Sequence, residues 1–167
     1  MRSLRSLPVL RDNLHEKVIQ LMGTNLNSQE LDFLGKNYIA RLATSSLMSV
    51  PHISPIYYGN TRDLVFFTTE KGSRKLKDIE ENNQVSLVVD TFDADWLHQI
   101  SGTAKTYEKA VVISGRAAIH LNGSPYMEMY KELLKKYPDY QADKHWEPGE
   151  LPIVKIVISN VVSWGLN

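Results

Sequence analysis

Residues 64–76 read LVFFTTEKGSRKL and contain the most informative local pattern in the chain. Leu64–Thr69 is rich in aromatic and β-branched side chains, as buried strands are. Ser73 is a favourable helix N-cap, and Leu76 and Ile79 would share one face of the helix that follows it. The segment therefore predicts a strand that runs through a polar turn into a short amphipathic helix.

The first turn of this predicted helix has the composition of an anion site. A helix N-terminus presents unpaired N–H groups and a partial positive charge, to which Ser73 adds a hydroxyl and Arg74 and Lys75 add cations. The hydroxyls of Thr68 and Thr69 are expected to point into the same corner. Cations at a helix N-terminus are mildly unfavourable alone, so the pattern favours a bound phosphate monoester. The alternative is that both cations are solvated charges, with Lys75 pairing with glutamates along the helix.

Further strands flank this segment, and short turns separate the early ones. Because such turns leave no room for a crossover helix, antiparallel neighbours are favoured. We predict a mainly β fold, a six-stranded antiparallel barrel with three or four peripheral helices. The other strands are expected at residues 38–44, 51–58, 85–89, 111–119 and 153–159, with 161–164 close behind the last.

The second of these strands contains two prolines. Pro51 and Pro55 lack the N–H that a central strand needs, so we expect this strand to be interrupted, bulged or at a sheet edge. Gly59 and Asn60 are interpreted as the start of a turn that extends to Asp63.

Three segments have helical patterns. An apolar stripe predicts a helix over 11–22, and an Asn-x-x-Glu capping box predicts another over 27–36. Ser124 is interpreted as the N-cap, and Pro125 as the first residue, of a helix that continues to about residue 137.

The length of the chain fits one domain. A chain of 167 residues can form one substantial core and is short for two. We predict a helical N-terminal extension at residues 1–26 and a single barrel domain at residues 27–167, in which 92–108 and 139–152 are loops.

Composition excludes several classes of protein. Nineteen Lys and Arg residues balance nineteen Asp and Glu residues, which argues against binding of nucleic acid by bulk charge and is compatible with self-association. No apolar run approaches a membrane span and no secretion signal is evident, so we expect a cytoplasmic protein without a membrane partner. The chain has no cysteine, and its five histidines do not pair at helical metal-ligand spacing, so no metal site is predicted.

Taken in order, the segments of this chain resemble those of the FMN-binding split-barrel proteins, the superfamily of pyridoxamine 5′-phosphate oxidase and its flavin- or deazaflavin-binding relatives. The resemblance runs from about residue 27 to the end, outside the two predicted loops. No single segment is diagnostic, but several in the right order are specific. They are Tyr38–Thr44, Pro51–Ile56, Val65–Thr69, Gly72–Leu76, Val85–Val89, Val111–Ala117 and Val162–Trp164.

The resemblance implies a six-stranded split barrel that forms a homodimer, with two flavin sites at the subunit boundary. Ser73, Arg74 and Lys75 would hold the FMN phosphate, in agreement with the helix-terminus argument. Thr68 and Thr69 would face the phosphate or the ribityl chain.

The resemblance also implies that the second strand runs along the isoalloxazine ring and satisfies its polar edge with backbone groups. Trp164 would approach the site from the partner subunit, or it is a core residue. His52 is either a proton donor near the flavin or a structural residue. The residues of the strand beside the ring would be His52, Ile53, Ser54, Pro55 and Ile56.

The sequence departs from true pyridoxamine 5′-phosphate oxidases where those enzymes hold the substrate. Ser54 and Gly59 stand at positions where the family carries an Arg and a Lys, and Ala110 or Val111 stands in place of a Gln. The phosphate of a pyridoxal-type substrate then has no evident holder. Vitamin B6 oxidation is therefore not the expected activity.

We expect a flavin-dependent oxidoreductase that binds FMN non-covalently and passes electrons between a reduced donor and a small organic acceptor. The closest alternative is a reductase of the same fold that uses the deazaflavin F420. A second alternative is a non-catalytic module that carries flavin or binds haem, with His98, His120 or His145 as haem ligands.

Overall fold

The computed structural model describes residues 23–91, 109–138 and 147–166. In these ranges seven strands form one antiparallel sheet, around which three helices pack. The helices are α1 (Ser28–Lys36), α2 (Arg74–Glu81) and α3 (Ser124–Lys136). The strands are β1 (Ile39–Ser45), β2 (Pro51–Tyr57), β3 (Gly59–Asn60), β4 (Leu64–Thr68), β5 (Gln84–Thr91), β6 (Lys109–His120) and β7 (Ile153–Trp164). The helix predicted over 11–22 lies outside the described residues.

The sheet curls because its two edge strands are consecutive in the chain. The strand order is β2-β1-β5-β6-β7-β4-β3, and one residue, Tyr58, separates β2 from β3. Tyr58 is fully buried, and its backbone N–H donates a hydrogen bond to the hydroxyl of Tyr137 over 3.1 Å. The predicted mainly β, antiparallel split barrel is therefore confirmed, and β2, the strand with two prolines, lies at an edge as expected.

The strand count is seven rather than the predicted six. Gly59 and Asn60, which we interpreted as a turn, form β3 and pair with Phe66 and Val65 of β4. A Cβ on Gly59 would lie 2.8 Å from Cζ of Phe66. The glycine thus allows close packing against the ring of Phe66. A Gly-Asn pair is a common turn signal, but here it forms part of a strand.

β7 is one continuous strand where the sequence predicts two. Ser114 pairs with Asn160 and Gly115 pairs with Ile158, so Ser159 is the extra residue of a β-bulge. A Cβ on Gly115 would lie 2.7 Å from Cγ2 of Ile156. The bulge therefore depends on a glycine in the neighbouring strand.

Two clusters of buried apolar residues form the core, one on each face of the sheet. α1 and α2 cover the inner face, where Phe33, Leu34, Leu76 and Ile79 join the larger apolar cluster. α3 covers β4 and the start of β7 from the other side, through a cluster that includes Phe66. None of the helices in the described ranges is both long and apolar enough to cross a lipid bilayer.

The helix starts agree with the sequence at α1 and differ at α3. Asn27 and Glu30 form the predicted capping box at α1, with each side chain bonded to the backbone N–H of the other residue. The N-cap of α3 is Gly123, with a φ of 91°, and no side chain caps the helix. Ser124 is therefore the first helical residue and not the predicted N-cap.

Candidate functional site

The turn between β4 and α2 brings together three predicted site residues. Oγ1 of Thr69 lies 3.0 Å from Oγ of Ser73, and Nζ of Lys75 donates to Oγ1 of Thr69 over 3.4 Å. Gly72 has a φ of 79°, a left-handed conformation that lets the turn fold back before α2 begins. Two hydroxyls and an ammonium thus converge here. We call Thr69, Ser73, Arg74 and Lys75 the α2 corner.

The first turn of α2 keeps the positive character of a helix N-terminus. Ser73 is the N-cap as predicted, and its Oγ accepts a hydrogen bond from the backbone N–H of Leu76 over 3.4 Å. The first turn contains no acidic residue that would offset the helix dipole. Leu76 and Ile79 are buried and fix the helix to the core. The corner is therefore a rigidly mounted, electropositive helix end.

A buried carboxylate one turn along α2 holds Arg74. Nε of Arg74 donates to Oδ1 of Asp78 over 2.8 Å, and Oδ2 of Asp78 accepts from Oγ1 of Thr44 over 2.8 Å. The Arg74 side chain is 50% exposed and that of Asp78 only 3%. Burial alone would raise the pKa of Asp78, but hydrogen bonds from Arg74 and Thr44 and the charges of Arg74 and His52 outweigh it. The pKa of Asp78 therefore lies below its ordinary value.

His52 reaches the same region from β2. It lies directly opposite Thr44 in the β1–β2 ladder and is partly buried. Its charge helps to lower the pKa of Asp78, so the imidazole is close enough to act on that carboxylate. Packing of α2 across β1 and β2 thus brings His52 near the α2 corner.

The rest of the predicted run along β2 is divided between two faces. Ser54 and Ile56 share the more buried face with His52, whereas Ile53 and Pro55 are exposed on the opposite face. Oγ of Ser54 is buried and has no hydrogen-bond partner within the described ranges. A flat ligand beside β2 would meet side chains of one face and the backbone of the open edge.

Two predicted residues lie away from the α2 corner. Thr68 shares a strand face with Phe66, which packs against α3, because successive side chains of a strand point to opposite faces. Thr68 therefore lies on the side of β4 that faces α3, and its predicted contact with the phosphate or ribityl chain stays a prediction. Trp164 ends the 12-residue β7, and Thr68 pairs with Ile153 at its other end. At about 3.3 Å per residue, roughly 36 Å of strand separates Trp164 from that pair.

A family model described as pyridoxamine 5′-phosphate oxidase matches residues 26–164. The chain belongs to the pyridoxamine 5′-phosphate oxidase family. The match covers every described strand and helix, including the α2 corner. No curated protein sequence matches the chain.

Solved structures from several bacteria share the fold of this family member. A conserved hypothetical protein from Mycobacterium tuberculosis has a TM-score of 0.66 at 16% identity, over 87% of this chain and 88% of that one. An FAD-binding protein from Mesorhizobium loti has a TM-score of 0.60 at 22% identity, over 83% and 94%. The heme storage protein HutZ from Vibrio cholerae has a TM-score of 0.63 at 13% identity, also over 83% and 94%. At these identities the similarity is one of fold.

The structure describes the positions at which the sequence is expected to depart from true pyridoxamine 5′-phosphate oxidases. Ser54 lies on the more buried face of β2, and Gly59 lies against the ring of Phe66, where a longer side chain would displace that ring. Ala110 pairs directly with Trp164 across β6 and β7. These positions hold small residues, and that a pyridoxal-type phosphate has no holder here stays a prediction.

Sequence reasoning missed two polar residues that organise the site of this family member. Asp78 could have been found, because its spacing of four residues from Arg74 is that of a helical ion pair. Thr44 precedes Asp78 by 34 residues, and no local pattern links the two. Only the folded structure brings these two side chains within hydrogen-bonding distance.

The face of the sheet opposite α1 and α2 carries several exposed apolar side chains, and the ion pair of Arg41 with Asp90 lies among them. Val161 packs on the core and Ser163 donates to Glu30 on α1, so Val162 and Trp164 point the other way. They are 52% and 41% exposed. A separate surface pocket of about 540 Å³ is lined by residues of β1, β5, β6 and β7, among them Ser86 and Ser114. We call the following residues the outer face: Ile39, Ile53, Tyr57, Val162 and Trp164.

The histidines named as haem ligands are spread along the chain. His120 ends β6, opposite Ile153 of β7. His98 and His145 lie outside the described residues. Within the parts that the structure describes, no three histidine, aspartate or glutamate side chains are grouped so that they could hold a metal ion.

Proposed function

We propose that this protein binds FMN and acts as a flavin oxidoreductase that passes electrons between a reduced donor and a small organic acceptor. The observation that carries the proposal is the α2 corner. It combines two hydroxyls, an ammonium and a half-exposed guanidinium with an electropositive helix end. This set of donors suits the dianion of a phosphate monoester. Membership of the pyridoxamine 5′-phosphate oxidase family supports a flavin as its carrier.

Each residue of the α2 corner has a distinct role in this proposal. Ser73 and the first N–H groups of α2 donate to phosphate oxygens, and Arg74 binds two oxygens through its terminal nitrogens. Lys75 adds charge, and the hydroxyl of Thr69 orients Ser73 and Lys75 through its contacts with both. We assign the threonine role to Thr69 in place of Thr68, which lies on the α3 side of β4.

β2 provides the surface for the isoalloxazine ring, which when bound supplies the redox chemistry. The hydroxyl of Ser54 is buried without a partner among the described residues, and such a ring could satisfy it. His52 would meet the ring or ribityl chain from the same face, and Ile56 would give it an apolar floor. Ile53 and Pro55 would contribute through their backbone at the open edge of the sheet.

We further propose a cytoplasmic homodimer with a flavin at the boundary between subunits. Trp164 lies at the far end of β7 from the α2 corner, so within one protomer the two are poorly placed to share a ligand. Across a subunit boundary, Trp164 could cover the partner's flavin. The exposed outer face supports such a boundary. The domain division at residues 1–26 and 27–167 stays a prediction.

A binding module for haem is the second candidate, favoured by one observation. The fold is shared with a heme storage protein from Vibrio cholerae, at 13% identity. His120 at the end of β6 would be a ligand in that case. The α2 corner argues for FMN, because its donors suit a phosphate, which haem lacks. A reductase that uses F420 remains an alternative, since that cofactor also carries a phosphate.

Absorbance of the purified protein separates these candidates. We expect a yellow protein whose colour is released as FMN on denaturation. A colourless protein that binds F420 and not FMN would contradict the choice of cofactor, and a Soret band would favour haem. Tight FMN binding without reduction by any donor faster than free flavin would indicate a carrier and contradict the enzyme.

Removal of the Arg74 guanidinium tests the phosphate site. We expect Arg74→Ala to weaken FMN binding by roughly 1.5–3 kcal/mol, the worth of a charge-assisted hydrogen-bonding group. Fluorescence titration with FMN measures the dissociation constant. Lys77→Ala is the matched control, because it removes one cation from the exposed side of the same helix. Equal effects of the two substitutions would show that the phosphate binds elsewhere.

A further inference from the structure

Asp78 is an almost fully buried carboxylate at the back of the α2 corner. Both of its oxygens are used, one by Nε of Arg74 and the other by Oγ1 of Thr44, each at 2.8 Å. Only 2% of the surface of Asp78 is exposed. A buried carboxylate costs free energy unless it is paired, and these two hydrogen bonds supply the pairing.

The hydrogen bond from Nε to Asp78 holds the guanidinium of Arg74 in one orientation. An arginine side chain loses rotamer entropy when it is ordered, and Asp78 orders Arg74 before any ligand arrives. The ion pair engages Nε, and the hydrogen bonds of Arg74 within the described ranges are confined to that atom. The two terminal nitrogens remain for bidentate contact with an anion.

Thr44 makes this arrangement rigid. Its hydroxyl lies on β1 and fixes the second oxygen of Asp78, so the carboxylate plane is tied to the sheet as well as to α2. His52 stands opposite Thr44, and its charge also acts on Asp78. A chain of contacts therefore connects the sheet to the guanidinium through the carboxylate.

We propose that Asp78 is a positioning residue that pre-orders the guanidinium of Arg74 for a phosphate monoester, an inference that rests on the proposed FMN site. Two effects of Asp78 on a bound phosphate oppose each other. Its negative charge repels the dianion, whereas its hold on Arg74 lowers the entropy lost on binding. The sign of the change in affinity on neutralising Asp78 decides between them.

The test compares FMN with riboflavin, which lacks the phosphate. We expect Asp78→Asn to weaken FMN binding roughly tenfold, a typical coupling between contacting groups, and to leave riboflavin binding unchanged. In the Arg74→Ala background, Asp78→Asn should no longer weaken FMN binding, because only the repulsion between Asp78 and the phosphate is left to remove. Thermal unfolding monitors the fold of each variant. Thr44→Val is a second variant, expected to lower FMN affinity but not riboflavin affinity, for use if Asp78→Asn does not fold.

Several outcomes would overturn the inference. An unchanged or higher FMN affinity in Asp78→Asn would show that repulsion outweighs positioning. Equal losses for FMN and riboflavin would show a merely structural role, as would additive losses in the double variant. In all these cases wild-type FMN binding and its dependence on Arg74 would survive. Absence of FMN binding to the wild type would instead reject the proposed function, and this inference with it.

Discussion

The ammonium of Lys136 sits in a poorly hydrated position between α3, α1 and the link from β2 to β3. Nζ donates to the backbone oxygen of Leu34 over 2.9 Å and lies 3.8 Å from the ring centroid of Tyr58. The Leu34 carbonyl belongs to the last turn of α1, whose oxygens lack partners within the helix and carry partial negative charge. This environment tolerates the cation, but burial still lowers the pKa of Lys136 to about 8.

The lowered pKa of Lys136 predicts a pH-dependent contribution to stability. Between about pH 8 and 10.5 the unfolded chain holds the Lys136 proton more tightly than the folded chain, so the free energy of unfolding rises with pH in this window. Because the ammonium is partly exposed, we expect a gain on the order of 1 kcal/mol. Urea unfolding from pH 7 to 10 should show wild type gaining stability over Lys136→Met as pH increases.

A matched variant isolates this effect from the other titrating groups. Lys131→Met removes an exposed lysine from the same helix, and its stability difference from wild type should not change with pH over this range. The ionisation of tyrosines in the unfolded chain affects all three proteins equally. A pH-independent difference between wild type and Lys136→Met would contradict the assignment.

At the scale of the helices, the starts of α2 and α3 predict responses of different size to a serine-to-alanine substitution. Oγ of Ser73 caps α2, whereas Ser124 lies inside α3 behind a glycine cap. We expect Ser73→Ala to lower the free energy of unfolding by about 1 kcal/mol and Ser124→Ala to change it by less than about 0.5 kcal/mol. Denaturant unfolding of both variants measures this. Equal losses would mean that Ser124 caps α3 as its sequence suggests.

The same two helices show how far local sequence determines the elements. Ser73 and the capping box of Asn27 place α2 and α1 correctly, because their signals act within four residues. At α3, Ser124-Pro125 has the same appearance, but Gly123 adopts a φ of 91° and takes the cap position. Ser124 and Pro125 therefore do not by themselves distinguish a serine cap from a glycine cap.

In the candidate site, too, the local contacts could be predicted from the sequence and the long-range contact could not. Thr69, Ser73 and Lys75 converge because they lie within seven residues of one strand–turn–helix unit, which the sequence makes recognisable. The contact of Thr44 with Asp78 joins elements that are distant in the chain, so only the fold reveals it. Thr68 and Thr69 look equivalent in the sequence, whereas in the structure Thr68 is the last residue of β4 and Thr69 lies in the turn that follows.

At the scale of the whole molecule, the sheet presents two unlike faces. The inner face is covered by α1 and α2, and α3 covers the region of β4 and the start of β7. The outer face, along β1, β2 and the second half of β7, carries large apolar side chains that are about half exposed. An apolar surface of this kind is typical of an interface between proteins, and the chain's zero net charge does not oppose self-association.

A charge on the outer face should therefore separate the proposed dimer and weaken its flavin site together. Val162 is 52% exposed and pairs with Val112 of β6, so Val162→Lys places an ammonium on this face without altering the core. We expect light scattering to give a monomer mass, where wild type gives a dimer. FMN affinity should fall roughly tenfold, because Trp164 would no longer reach the partner's site.

Leu121→Lys provides the control for this substitution. Leu121 is 56% exposed and follows β6 at the end of that strand remote from Val112, so its variant should stay dimeric and keep its FMN affinity. A dimeric Val162→Lys protein would show that the outer face is not the interface. A monomeric variant with unchanged FMN affinity would show that each protomer binds its flavin alone, because the dimer contact would then be absent while the α2 corner and β2 remained intact.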